Sequence, residues 1–221
     1  MTGSGLRSEG LRVLYVTASS RGDLRVGEEV RRVKAAVQAA VHRDAVHIEH
    51  LPAATFDDLL DGLTRIRPHV VSFSGHAGEG FLELETGADT RGRGHLLAAQ
   101  VFARAMDAVD TPPRLVVLNA CRSHAQLQKL VEVVPLAVGM ADSIGDPAAL
   151  AFATRFYAAL TDGQSVGSAY RLAKVQMAGH PDAATAADAD LPVLEHDPAL
   201  DPADVVLVRS GHPSPPDPIP A

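Results

Sequence analysis

HVVSFSGHAG at 69–78 and RLVVLNACRS at 114–123 decide how this chain is read. Each opens on an apolar run of strand length and closes on small and polar residues. A short continuous apolar run marks a strand buried on both faces, the kind that parallel sheets contain. Parallel strands deliver their last residues to one shared edge, where α/β proteins build their sites. His76 and Cys121 are therefore expected to meet. Cys121 is the one cysteine in the chain. A histidine beside a thiol is the minimum equipment for nucleophilic catalysis by sulfur.

The rest of the sequence supplies the frame. LRVLYVTA at 11–18, VHIEHL at 46–51, LAVGM at 136–140 and DVVLVRS at 204–210 are further strand candidates. Between them lie helical patterns. Val30, Val33, Val37 and Val41 repeat every three or four residues along 28–42. Thr55 stands as an N-cap before FDDLLDGLTRI, whose Leu59, Leu60 and Leu63 form a stripe. AAQVFARAMDAV at 98–109 and AQLQKLVEV at 125–133 are helical too. Asp146 and Pro147 open AALAFATRFYAAL, Gly163 closes it, and SVGSAYRLAKVQMA follows as another helix. FLELETGADTRGRG at 81–94 is expected to be a hairpin turning near Gly87, and 179–203 a long, weakly patterned loop. Strands alternating with helices predict an α/β fold with a mostly parallel sheet. One domain is expected over 11–210, with a flexible arm at 1–10 and a Pro-rich disordered tail at 211–221.

Composition narrows the function classes. The 221 residues are 46% hydrophobic and 21% charged, ordinary for a soluble globular domain. A net charge of −7 argues against broad binding to nucleic acid or an anionic membrane. A single cysteine forms no disulfide within the chain, which fits a reducing cytoplasm. The first ten residues lack the apolar core of a signal peptide, and no apolar run reaches the roughly 18 residues of a membrane span.

Each motif has a plain reading beside the chemical one. A lone cysteine is often an inert core residue. Cys121, however, lies between a strand and a helix, whose N-terminus favours a thiolate, with Asn119 and Ser123 nearby. A lone histidine is usually structural, but His76 follows a strand and is flanked by Gly75 and Gly78. The backbone NH of Ala77 or Gly78, with that of Cys121, could bind a developing oxyanion. GQSVG at 163–167 matches a nucleophile elbow, yet a helix and not a strand precedes it, so Ser165 is expected to be a helix cap. His42, His47 and His50 do not form a metal set, because an odd separation on a strand points 47 and 50 to opposite sides. RGRG at 91–94 follows no clear βα turn and lacks a Walker lysine, so phosphate binding is unsupported. The loop SSRGDLR at 19–25 leaves the first strand at the edge that carries His76 and Cys121. Arg21, Asp23 and Arg25 could line a substrate pocket there, or form a solvated turn. Asp142 and Asp146, after LAVGM, are the other charged candidates, Asp146 being better suited to opening its helix.

The ordered pair SGH and NAC, with LRVLYVTASSRGDLRVGEEVRRVKAAV before it and VGMADSIGDPAALAFATRFYAALTDGQSVGSAY after it, resembles the CHAT family of caspase-like cysteine peptidases. The resemblance covers roughly 11–175. It implies a caspase-like, three-layer αβα fold and peptide-bond hydrolysis. Cys121 would be the nucleophile, His76 the general acid and base, and the NH groups of Ala77 and Cys121 the oxyanion hole. Relatives usually carry glycine after the histidine; Ala77 keeps the backbone NH. The expected protein is a cytoplasmic, bacterial cysteine endopeptidase in signalling or defence, needing no metal or cofactor. Its expected partners are a protein substrate and a regulatory protein or a second copy, not nucleic acid or membrane. Two alternatives stand beside it: a catalytically silent caspase-like assembly module, and a nucleotide-binding α/β protein, which the lack of a Gly-rich turn after the first strand disfavours.

Overall fold

The apolar runs become the middle of a sheet. The computed structural model describes residues 10–19, 24–87 and 94–209. In chain order the elements are β1 (Leu11–Thr17), α1 (Val26–Ala39), β2 (Val46–Leu51), α2 (Phe56–Ile66), β3 (Val70–Ser74), β4 (Ala77–Gly78), β5 (Phe81–Leu84) and β6 (His95–Ala98). There follow α3 (Ala99–Asp107), β7 (Leu115–Asn119), α4 (His124–Leu130), β8 (Leu136–Met140), α5 (Asp146–Thr161), α6 (Val166–Ala178), α7 (Ala183–Ala187) and β9 (Pro192–His196). The main sheet has the order β2-β1-β3-β7-β8-β9. All its neighbours pair in parallel except β8 and β9. β3 and β7 are fully buried along their length, as parallel strands covered on both faces must be.

Alternation along these strands feeds two apolar clusters. Val13, Val70, Val117 and Val138 pack with Val33 and Val37 of α1, Phe152 and Phe156 of α5 and Ala173 of α6. Leu14, Val16, Phe73 and Leu118 pack with Leu59 and Leu63 of α2, Phe102 and Met106 of α3 and Leu127 of α4. The result is three layers, helices on both faces of a mostly parallel sheet. Burying one such Leu or Phe is worth roughly 1.5–3 kcal/mol. Among the described residues, no helix is long and apolar enough to cross a membrane.

Local signals explain the element ends. Thr55 caps α2 in a reciprocal box with Asp58, and its hydroxyl and amide hold the Asp58 carboxyl below its ordinary value. Pro147 sits in the first turn of α5, and Gly163 takes φ +85° where α5 turns into α6. The valine stripe of α1 stops at Val37, since the helix ends at Ala39 and leaves Val41 72% exposed.

Three expectations change. The excursion after His76 is a three-stranded antiparallel sheet, β4-β5-β6, and not a bare hairpin; most of its link, 88–93, lies outside the described residues. The stretch 179–203 is not a loop throughout: it holds α7 and β9, and β9 closes the sheet edge against β8. The described part of the expected strand at 204–210, residues 204–209, is not a strand. Its isolated bridge is Val206 with Ser165, and the carbonyls of Pro202 and Val205 accept from the NH groups of Gly167 and Val166 at 2.9 and 2.8 Å. Val205 and Val208 are apolar because they cover the core while that backbone caps α6. The arm at 1–9 and the tail at 211–221 lie outside the described residues.

Candidate active site

β3 and β7 end in register: Ser74 pairs with Asn119. Two residues further on stand His76 and Cys121. Both line one open cleft of about 1030 Å³ that begins at the ends of the strands and runs between α1 and α5 as far as Ala40 and Asp162. The topology brings the two residues to one sheet edge and one cleft.

The chain around the histidine is tightly constrained. Gly75 cannot carry a side chain, because a Cβ there would stand 2.6 Å from the carbonyl oxygen of Ala18. The end of β1 is held against the same point, with the Ala18 NH donating to the Ser74 carbonyl at 3.1 Å. Beyond it the His76 carbonyl accepts from the Glu83 NH at 2.9 Å, so the His76 backbone joins the small antiparallel sheet. Ala77 is half-buried in β4 and packs against the second apolar cluster.

The cysteine sits in a strained turn. Arg122 takes φ +52°, a left-handed value that non-glycine residues seldom adopt. Its NH donates to the Asp142 carbonyl at 3.1 Å. Ser123 is fully buried, and its hydroxyl ties three segments: it donates to the Leu118 carbonyl and accepts from the Met140 NH, each at 2.9 Å. The half-buried Cys121 Sγ lies 3.8 Å from the Ile144 carbonyl. α4 starts only at His124, so a turn separates Cys121 from the helix that was expected to begin beside it. Gln126 of α4 reaches across to the other half of the site. Its Nε2 donates to the carbonyls of Gly78 and Phe81 at 2.7 and 3.1 Å, fastening the helix after the cysteine to the hairpin after the histidine.

Comparison with known proteins settles the family. A family model described as the CHAT domain matches residues 24–199. The chain belongs to the CHAT domain family. Among solved structures it is similar to the Arg-specific cysteine proteinase gingipain R, with 12% identity, a TM-score of 0.59, and coverage of 88% of this chain and 47% of that one. It is also similar to the complex of the pro- and mature domains of RgpB from Porphyromonas gingivalis, at 10% identity, a TM-score of 0.53, and coverage of 90% and 48%. This CHAT chain thus spans about half the length of those chains. The likeness shows a shared caspase-like fold. No curated protein matches the chain in sequence.

Within the CHAT domain the other candidate residues separate. Arg25, just before α1, lines the cleft with His76 and Cys121. Asp146 lines it as well, as the first residue of α5. Asp142 does not. Its carboxylate accepts from the Ser143 NH at 2.8 Å and from Arg122 Nε at 3.0 Å, and it borders a separate shallow depression with Glu79. The Ser143 amide, and then the guanidinium, hold its carboxyl below the ordinary value. Arg21 and Asp23 lie outside the described residues. Ser165 caps α6, accepting from the Ser168 NH at 3.2 Å. His50 Nε2 shares a hydrogen bond with the Thr17 hydroxyl at 2.9 Å, while His47 faces Glu49. Among the described residues, no three His, Cys, Asp or Glu side chains are grouped to hold a metal.

One polar residue of the cleft had not been singled out from the sequence. Glu29, in the first turn of α1, is 6% exposed and lines the same cleft. The Tyr15 hydroxyl donates to its Oε1 at 2.5 Å, and Asn119 Nδ2 donates to its Oε2 at 2.9 Å. Burial raises its carboxyl to about 7 against the opposing pull of hydrogen bonds from Tyr15, Asn119 and Ser74. The signal was present: positions 26, 29, 30, 33 and 37 form one helical face, and an acid stands in that valine stripe.

Proposed function

We propose that this CHAT domain is a cysteine endopeptidase acting through Cys121 and His76. The observation that carries this is their placement two residues beyond a register-paired Ser74 and Asn119, on the wall of one cleft. The Cys121 thiolate attacks the scissile carbonyl and forms a thioester. His76 gives its proton to the leaving amine, then takes one from the water that hydrolyses the thioester. The negative charge on the tetrahedral oxygen needs fixed donors, and the backbone NH groups of Ala77 and Cys121 are suited to that task. Both belong to constrained segments, one beside the glycine pressed on Ala18 and the other before the Arg122 turn. Preorganised donors cost nothing in reorganisation during reaction, so rigidity here supports the role. The substrate is an exposed protein segment entering the open cleft beside Arg25. The setting we favour is bacterial signalling or defence, with a partner protein or a second copy populating the competent state.

The test is labelling by a peptide electrophile together with a search for new protein N-termini. Wild type should be labelled at Cys121 and generate new N-termini, and Cys121→Ala should do neither. Labelling with no cleavage would instead indicate a silent assembly module. New N-termini produced equally by both would refute the mechanism.

A further inference from the structure

Two donors from two strands, one on either side of β3, converge on one buried carboxylate. Tyr15 comes from β1 and Asn119 from β7, and both hydrogen-bond to Glu29. Asn119 Nδ2 also donates to the Ala149 carbonyl of α5 at 3.1 Å. The carboxylate therefore ties α1 to β1 and β7, and Asn119 carries the tie on to α5. Both of its oxygens are engaged inside the protein, so it has little left to offer a substrate.

Stability does not call for this arrangement. Burying a carboxylate costs free energy, and well-packed apolar residues usually serve a core as well or better. The opposite sheet face does use apolar residues at the adjacent positions, Phe73 and Leu118. Hydrogen bonds supply direction, which apolar contact lacks. One of the gripped residues is Asn119, followed by Ala120 and then by Cys121; its register partner on β3, Ser74, is followed by Gly75 and then by His76.

We propose that Glu29 is a positioning residue of the hydrolytic site: by gripping Asn119 it fixes the end of β7 that carries Cys121, beside the register-paired end of β3 that carries His76. This rests on the Cys121–His76 assignment made above. The groups that face Glu29 are Tyr15 from β1 and Tyr157 and Asp146 from α5, and the Asp146 charge adds to the rise in its proton affinity. The cations on the shared cleft wall are Arg25, Arg32 and Arg155, with His180 at its far end. The ionised form accepts from both donors in charge-assisted bonds, whereas protonation turns one oxygen into a donor and leaves a weaker, neutral acceptor for Asn119. The grip tightens as Glu29 loses its proton.

The experiment uses the fluorogenic peptide that wild type cleaves best out of a broad pool. kcat and KM are measured from about pH 5.5 to 8.5 for wild type, Glu29→Gln and Tyr15→Phe, with Cys121→Ala as the blank. The ratio of wild-type to Glu29→Gln kcat should be near one at the acid end and on the order of tenfold at the alkaline end, with KM unchanged. A residue that only fills space gives a flat ratio. Tyr15→Phe removes a donor that favours the ion, so the rise in its kcat should move to higher pH. This second variant decides the matter if Glu29→Gln does not fold. A flat ratio, or an unmoved profile for Tyr15→Phe, overturns the proposal while an inactive Cys121→Ala leaves the dyad standing. A wild type that cleaves nothing, or a Cys121→Ala that cleaves normally, overturns the dyad and this proposal with it.

Discussion

The two faces of the central sheet are made from alternate residues of the same strands, and they differ in kind. On the α2, α3 and α4 side β3 contributes Val71 and Phe73, β7 contributes Val116 and Leu118, and β1 contributes Leu14 and Val16. On the α1, α5 and α6 side the corresponding runs end in Ser74, Asn119 and Thr17, with Tyr15 below them and Glu29 above. The side chains that sit on the polar face are nearly as buried as those on the apolar one. What separates the faces is direction: both pack apolar residues against helices, and only one adds hydrogen bonds, which tie Tyr15 and Asn119 to Glu29 of α1. The asymmetry fades away from the edge where the cleft opens: one level deeper Ser72 and Tyr15 stand beside Val117 and Val138, and below them Val13, Val70 and Leu115 are apolar.

The strongest test of that contrast removes one residue from each face. Phe73→Ala should cost about 3–5 kcal/mol in chemical denaturation, while the molecules still folded keep the wild-type kcat. Asn119→Ala should cost less stability, about 1–3 kcal/mol, because it strands a buried carboxylate without emptying the core. Its kcat should nevertheless fall by on the order of a hundredfold, since it carries the backbone that leads to Cys121. Equal losses of activity from both substitutions would break the comparison.

A pH series sharpens it. The Glu29 carboxyl stands at about 7 in the folded chain against an ordinary value of 4.5. Between those values the folded state holds a proton that the unfolded state has released. Stability is therefore lost as pH rises from about 4.5 to 7, by no more than about 3 kcal/mol, and no further above it. Urea titrations of wild type and Glu29→Gln should show the wild type losing ground across that window alone. Parallel pH dependence in the two proteins would remove Glu29 as its source.

The smallest effect is expected far from either face. Ser165→Ala should lose about 1 kcal/mol as a missing helix cap and leave turnover unchanged. A folded but inactive Ser165→Ala would move the chemistry to the GQSVG segment.

Much of this architecture could be read from residue patterns, for physical reasons that also explain the misses. The runs at 70–74 and 115–119 are buried on both faces, so nothing but a central strand accounts for them. Their small and polar endings then placed His76 and Cys121 at one edge. PVLEH at 192–196 escaped notice because an edge strand is only half-buried and sits among Ala, Asp and Pro. DVVLVRS misled in the other direction: its valines are apolar to cover the core, not to pair. By sequence Glu29 is one more acid in a first helical turn, and only the fold brings Tyr15 and Asn119 to it. The ties made by Ser123 and Gln126 depend on contacts that no local pattern encodes.

The most direct test of the central claim is a double-mutant cycle on peptide turnover, with wild type, Cys121→Ala, His76→Ala and the double variant compared at equal folded concentration. If the two strand ends carry one catalytic unit, each single variant loses on the order of a thousandfold or more and the double variant is little worse than either. Losses that multiply, or a Cys121→Ala protein that still turns over near the wild-type rate, would contradict it.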